Sequence, residues 1–263
     1  MAKFYPMFSG SDGNCTYIGN SLGGVLVDAG VSYKMIKNGL LEAGLSPEDV
    51  KAVLITHEHN DHIKGLKIFL KNRNVPVVAS RETIYALEFA GAITYETPRI
   101  YIDEETEVDF GGIKVIRFPT SHDCVGSSGY VVELDGETRT AVCTDLGIMT
   151  DDIVAALSGV QTVLLESNHD PVMLRMGPYP AELKLRIGSD KGHLSNAVCA
   201  ATLSKLYDRG CIRFVLGHLS EINNTPEKAA AAARAALLDK GAKENSDYIL
   251  YVAKKERNRV ISI

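Results

Sequence analysis

The apolar run Ala52-Val53-Leu54-Ile55-Thr56 stops abruptly at His57-Glu58-His59-Asn60-Asp61-His62. A short aliphatic stretch closed by a polar block is the pattern of a buried strand that opens into a loop at a sheet edge. Such a loop aims several side chains at one spot. Here they are three histidines and an aspartate within six positions. Imidazole and carboxylate together suit zinc, manganese or iron. His57 and His59 can reach one ion, while Asp61 and His62 face a second. An ordinary polar loop has no use for imidazole at this density, so the chain must fold in a way that brings a buried strand out onto a metal site.

The remaining sequence supplies an α/β frame. Short apolar runs bounded by Gly, Pro or Asp predict strands at 24–28, 52–56, 75–79, 107–110, 114–118, 130–134, 138–143, 162–166, 213–217 and 248–253. Gly111-Gly112 and Asp135-Gly136 read as tight hairpin turns, because both pairs tolerate positive φ. The stripe Ile63, Leu66, Phe69 and Leu70 predicts a helix directly after the histidines. Thr225-Pro226-Glu227 has the cap, first-turn proline and acidic first turn of a helix that ends near Gly241, and Ser195 caps another running to about Arg209. There is no repeat or long linker, and 263 residues fit one sizeable domain, 1–263, better than two small ones.

Bulk composition excludes little. No apolar run approaches the roughly 18 residues of a membrane span, and the N-terminus lacks a secretory pattern. Five cysteines (Cys15, Cys124, Cys143, Cys199, Cys211) with no C-x-x-C pair predict a reduced, cytoplasmic chain. Cys124 and Cys143 read as packing residues. The formal net charge of -5 argues against a polyanionic substrate until two divalent ions are counted. They would bring about four positive charges to the site itself. Two local basic clusters, Lys184/Arg186/Lys191 and Lys254/Lys255/Arg257/Arg259, are open between substrate contact and plain solvated surface.

H-x-H-x-D-H after an apolar strand resembles the signature of the metallo-β-lactamase superfamily. Its further motifs are matched in order by Asp28, His122, Asp145 and His218, each at a predicted strand end. The resemblance implies an αββα sandwich with two divalent ions at one edge, zinc or manganese, or else iron. One ion would be held by His57, His59 and His122, the second by Asp61, His62 and His218, and Asp145 would bridge them. Asp28 would orient a ligand from behind. Two such ions lower the pKa of a water held between them and neutralise charge on the attacked centre, and Asp61 would orient that water. An aspartate at 145, where common zinc β-lactamases carry cysteine, points to the phosphodiesterase and thioesterase branches.

The stretch from Asp145 to His218 holds Glu166-Ser167-Asn168-His169-Asp170, Gly177-Pro178-Tyr179-Pro180 and Gly192-His193-Leu194-Ser195-Asn196. With Ser9-Gly10-Ser11-Asp12-Gly13-Asn14 and Asn223-Asn224-Thr225-Pro226, this order is similar to that of the WalJ (YycJ) family. That family is described as single-domain 5′-3′ DNA exonucleases. The resemblance implies DNA as substrate, with RNA as a second candidate, and a metal-activated water attacking phosphorus. The alternative is a small-molecule hydrolase of the same fold: a thioesterase, lactonase or cyclic phosphodiesterase. His193 is expected to contact the scissile phosphate and donate a proton to the leaving group. Ser195, Asn196 and Asn168 are expected to bind substrate at a helix N-terminus. His169 stays open between function and a simple turn, and Tyr179 reads as packing.

Overall fold

The computed structural model describes residues 2–103 and 106–263. The chain runs in order through β1 (Lys3–Phe8), β2 (Cys15–Asn20), β3 (Gly23–Val27), α1 (Tyr33–Glu42), β4 (Val50–Leu54), α2 (Asn60–Ile63), α3 (Leu66–Asn72), β5 (Val77–Ala79), α4 (Arg81–Phe89) and β6 (Arg99–Tyr101). It continues through β7 (Glu107–Asp109), β8 (Ile113–Pro119), β9 (Ser128–Leu134), β10 (Thr138–Cys143), α5 (Asp151–Ala156), β11 (Thr162–Glu166), α6 (Pro171–Met176), α7 (Ala181–Ile187) and α8 (Asn196–Tyr207). It closes with β12 (Arg213–Gly217), α9 (Pro226–Leu238), β13 (Ile249–Val252) and β14 (Ile261–Ser262).

These strands form two seven-stranded sheets, ordered β14-β1-β2-β3-β4-β5-β6 and β13-β12-β11-β10-β9-β8-β7. Each sheet changes character along its width. β1, β2 and β3 are antiparallel neighbours, and β3 to β6 are parallel. In the second sheet β7 to β10 are antiparallel, and β10 to β13 are parallel. The inner faces meet through Ile18, Val25, Val27 and Leu54 on one side and Val115, Tyr130, Val132 and Leu164 on the other. The outer faces pack under helices: Leu26, Val53 and Ile55 with Ile36 and Phe69, and Val163, Leu165 and Phe214 with Leu203 and Leu237. Both faces of the central strands are thus buried, which is why they read as continuous apolar runs rather than alternating ones. The result is an αββα sandwich.

The strands Thr138–Cys143, Thr162–Glu166 and Arg213–Gly217 match their sequence boundaries. β1, β2, β6 and β14 carried no readable pattern. β1 holds Pro6 beside a register shift against β2, the kind of irregularity at which a sheet accepts proline. β6 has three residues and β14 two. The helix read through Ile63 to Leu70 is two pieces, α2 and α3. Gly65 lies between them and donates its N–H to Ala29 O, so near that backbone that a Cβ would stand 1.9 Å from Val31 O. This contact turns the chain while leaving the apolar stripe on one side.

Candidate metal centre

All the loops that matter leave one edge of the sandwich, where the parallel strands of both sheets end. Three residues there, Asp28 after β3, Asp145 after β10 and His218 after β12, hold φ of 64°, 60° and 53°. Left-handed backbone at non-glycine positions costs on the order of 1–3 kcal/mol each and persists only where surrounding contacts fix it. Those contacts are visible. The Asp28 N–H donates to Leu54 O, and the His218 N–H donates to the Ser9 hydroxyl at 2.9 Å. The N-terminal Ser9–Asn14 segment is therefore part of the site. Asn14 reaches Asp61 Oδ2 at 3.3 Å and His62 Nε2 at 3.1 Å.

The ring orientations are fixed from behind. His62 Nδ1 lies 2.8 Å from Asp28 Oδ2, and Asp28 also accepts the Thr56 N–H and hydroxyl. His122 donates Nδ1–H to Gly192 O at 3.1 Å, and His57 Nδ1 meets the Thr56 hydroxyl at 3.0 Å. His218 Nδ1 faces Glu166 Oε1 at 3.0 Å. The opposite ring nitrogens point inward. The donor atoms of His57, His59 and His122 lie within 4.8 Å of one another, and so do those of Asp61, His62 and His218. Asp145 lies between the sets: its Oδ1 is 3.9 Å from His122 Nε2 of the first and its Oδ2 3.3 Å from His62 Nε2 of the second.

Three of these inward atoms, His57 Nε2, His218 Nε2 and Asp145 Oδ2, are buried and make no hydrogen bond among the described residues. An unpaired buried polar atom costs roughly 1–3 kcal/mol. Three such atoms spread over two adjoining, compact N/O donor sets fit divalent cations. The local field agrees. Burial opposes charge on Asp145 and Asp61, yet His218 and His62 outweigh it and hold both carboxyls well below the usual range. Burial likewise disfavours charge on His62 and His218, but the surrounding carboxylates win. They raise His62 and push His218 up to about 10. His57 and His122 are lowered, mainly by burial. The centre is thus rich in ionised carboxylate.

Glu166, at the end of β11, is a functional residue that the sequence pattern does not single out. It is fully buried, and every oxygen is used. Oε1 faces His193 Nδ1 at 2.7 Å and His218 Nδ1 at 3.0 Å, while Oε2 accepts the N–H groups of Leu146 and Leu194. Despite burial, His193 and His218 hold its carboxyl down to about 2, and Glu166 in turn raises His193. A terminal glutamate on an apolar strand was the available signal. Asp123 is a second such residue. It lies 3.3 Å from His122 Nε2 and pairs with Arg186.

A sequence profile of the metallo-beta-lactamase superfamily matches residues 9–192. The chain is 36% identical over 239 residues to an exodeoxyribonuclease, YycJ, of Bacillus anthracis, an alignment that covers 90% of each chain. The chain belongs to the metallo-beta-lactamase superfamily. Exodeoxyribonuclease WalJ of Streptococcus pneumoniae is likewise 36% identical over 230 residues, covering 86% of this chain and 85% of the relative. The metallo-beta-lactamase fold protein YhfI of Bacillus subtilis superposes with a TM-score of 0.74 at 14% identity, covering 98% of this chain and 99% of that one. That likeness speaks for the fold alone. As a member of this superfamily the protein is a metal-dependent hydrolase. No helix among the described residues is long and apolar enough to cross a membrane.

Three residues expected to bind substrate are committed elsewhere in this metallo-beta-lactamase fold. Asn168 donates to His218 O at 3.0 Å, and Asn196 exchanges bonds with Asn224 and Ser167. Both asparagines are buried. Ser195 caps α8 through Val198 N–H. The backbone N–H groups around that helix start are also used: His193 by Ile187 O, Leu194 by Glu166 and Asn196 by His169 O. A protein carboxylate thus already occupies the N–H just before this helix start, the two asparagines tie neighbouring loops together, and Ser195 caps its own helix. His169 is buried with Nδ1 unpartnered among the described residues. Cys143 is core, and all five cysteines are free.

Proposed function

We propose that this hydrolase is a binuclear phosphodiesterase acting on nucleic acid, with 5′-3′ hydrolysis of DNA as its reaction. The observation that carries the reading is the pair of donor sets with Asp145, whose buried Oδ2 makes no hydrogen bond among the described residues, between them, in a chain 36% identical over 90% of its length to an exodeoxyribonuclease. His57, His59 and His122 would hold one ion, Asp61, His62 and His218 the other, with Asp145 shared. Bound there, zinc, manganese or iron would supply the positive charge that acidifies water and neutralises a phosphoryl oxygen.

The chain's own residues would do the rest. Asp61 is the ligand carboxylate that solvent reaches, its side chain 24% exposed, and it would orient the attacking water. His193 is part-exposed beside Asp145, 3.7 Å from its Oδ1. With its Nδ1 proton engaged by Glu166, its Nε2 is the atom left to meet substrate. His193 would contact the scissile phosphate and pass a proton to the departing oxygen. Asp28 would keep His62 turned inward. A panel of end-labelled DNA, end-labelled RNA, bis(p-nitrophenyl) phosphate and a thioester tests the reading. Cleavage of DNA from its 5′ end is the expected result. Turnover of the thioester with no cleavage of either nucleic acid would replace the proposal with the small-molecule alternative.

A further inference from the structure

α6 and α7 form a helical hairpin at the lip of the metal centre that the fold does not need for packing. α7 buries no residue and α6 only Leu174. Both ends are pinned. Asp170, the α6 cap, pairs with Lys228 of α9, and Arg186 on α7 pairs with Asp123, which touches His122. The α7 end lies against His193, whose N–H donates to Ile187 O. Between its anchors the hairpin exposes large apolar side chains, with Met176 77% and Leu185 75% accessible.

Cations are interleaved with them. Residues 171–191 carry Arg175, Lys184, Arg186 and Lys191 against Glu182 and Asp190, a net +2 in a chain of net -5. An isologous contact with a second copy would press these like charges together across the two-fold axis. A polyphosphate with open base faces would meet both the cations and the apolar side chains. A duplex would offer phosphate but hide its bases.

We propose that the α6–α7 hairpin is the strand-gripping surface of this protein, binding single-stranded nucleic acid as it approaches the metal centre. The proposal rests on the phosphodiesterase reading and deepens it. Arg175 and Lys184, whose ammonium also donates to the Arg175 carbonyl at 3.0 Å and so joins the two helices, take phosphates one or more nucleotides away from the scissile bond, and Met176 and Leu185 contact bases. Arg186 links the hairpin to the centre through Asp123.

The test is steady-state hydrolysis by the metal-loaded full chain of a dinucleotide and of a single strand of about thirty nucleotides, long enough to cover the hairpin. The variant is Arg175→Gln with Lys184→Gln. The control is Lys205→Gln with Lys240→Gln, an equal charge loss near the ends of α8 and α9, at the opposite end of β12 from His218. The hairpin variant should raise KM for the long strand roughly ten-fold. It should also flatten the dependence of log KM on log salt by about 0.7 per lost contact. The dinucleotide should respond far less, because it does not reach the hairpin. An equal loss in the control pair, or an equal effect on both substrate lengths, overturns the proposal. So does an unchanged KM accompanied by a changed oligomeric mass, which would make the hairpin a protein contact. A wild-type chain that cleaves no oligonucleotide fails the phosphodiesterase reading itself. One that cleaves oligonucleotides with a variant-insensitive KM fails only the hairpin's role.

Discussion

The two sheets place an aspartate at corresponding points, one at the end of β3 and one at the end of β10, both in left-handed backbone. Their surroundings differ. Asp28 is saturated by protein: the Thr56 N–H, the Thr56 hydroxyl and His62 Nδ1 occupy its carboxylate. Asp145 is equally buried but keeps Oδ2 without a hydrogen bond among the described residues. The first sheet builds a carboxylate taken up behind the His62 ring, and the second builds one that keeps an oxygen free of hydrogen bonds among the described residues. Glu166 serves the second sheet as Asp28 serves the first, except that it holds two histidines at once. Backbone geometry alone therefore does not make a ligand. What decides is whether neighbouring donors have already consumed the lone pairs.

The contrast can be broken by substitution. Asp145→Ala should produce the largest effect: hydrolysis falls to background, metal per chain drops, and the far-ultraviolet circular dichroism is kept. Full activity in that variant, or one ion per chain at saturation in the wild type, would end the shared-carboxylate reading. His193→Ala should cost on the order of 10²–10⁴ in rate with metal content unchanged. Loss of metal would instead make His193 a ligand, consistent with its place beside Asp145 and His218.

Smaller effects should sharpen the comparison. Asp28→Asn and Glu166→Gln should each cost roughly 10–100-fold in metal affinity or activity, the range for a group that orients a ligand. The two should differ in kind. Asp28→Asn should act through the affinity for one ion. Glu166→Gln should lower kcat as well, because its amide NH2 must face either the Leu146 and Leu194 N–H donors or the ring nitrogens of His193 and His218, and so disturbs the placement of both histidines. Identical profiles would remove the distinction between the sheets. Ser9→Ala should have the smallest effect, about 1–3 kcal/mol of stability from the stranded His218 N–H, read as a lower denaturant midpoint.

Sequence alone determined the strand that ends in His57–His62, the helix starts at Ser195 and Thr225, and the hairpins at Gly111-Gly112 and Asp135-Gly136. In each case the signal is local: a run of apolar side chains, a cap or a left-handed turn is specified by adjacent residues. It also offered Asp28, His122, Asp145 and His218 as strand-end candidates. Only the tertiary structure showed which lone pairs those residues keep, because the partners lie far away in the chain. Thr56 is 28 positions from Asp28, and Ser9 is 209 from His218. For the same reason Asn168 and Asn196 read as open to substrate, although Ser167, His218 and Asn224 already occupy them. Glu166 escaped notice because one carboxylate closing an apolar strand has no pattern of its own. Its role exists only once β11 and β12 pair and bring His193 and His218 to the same oxygen.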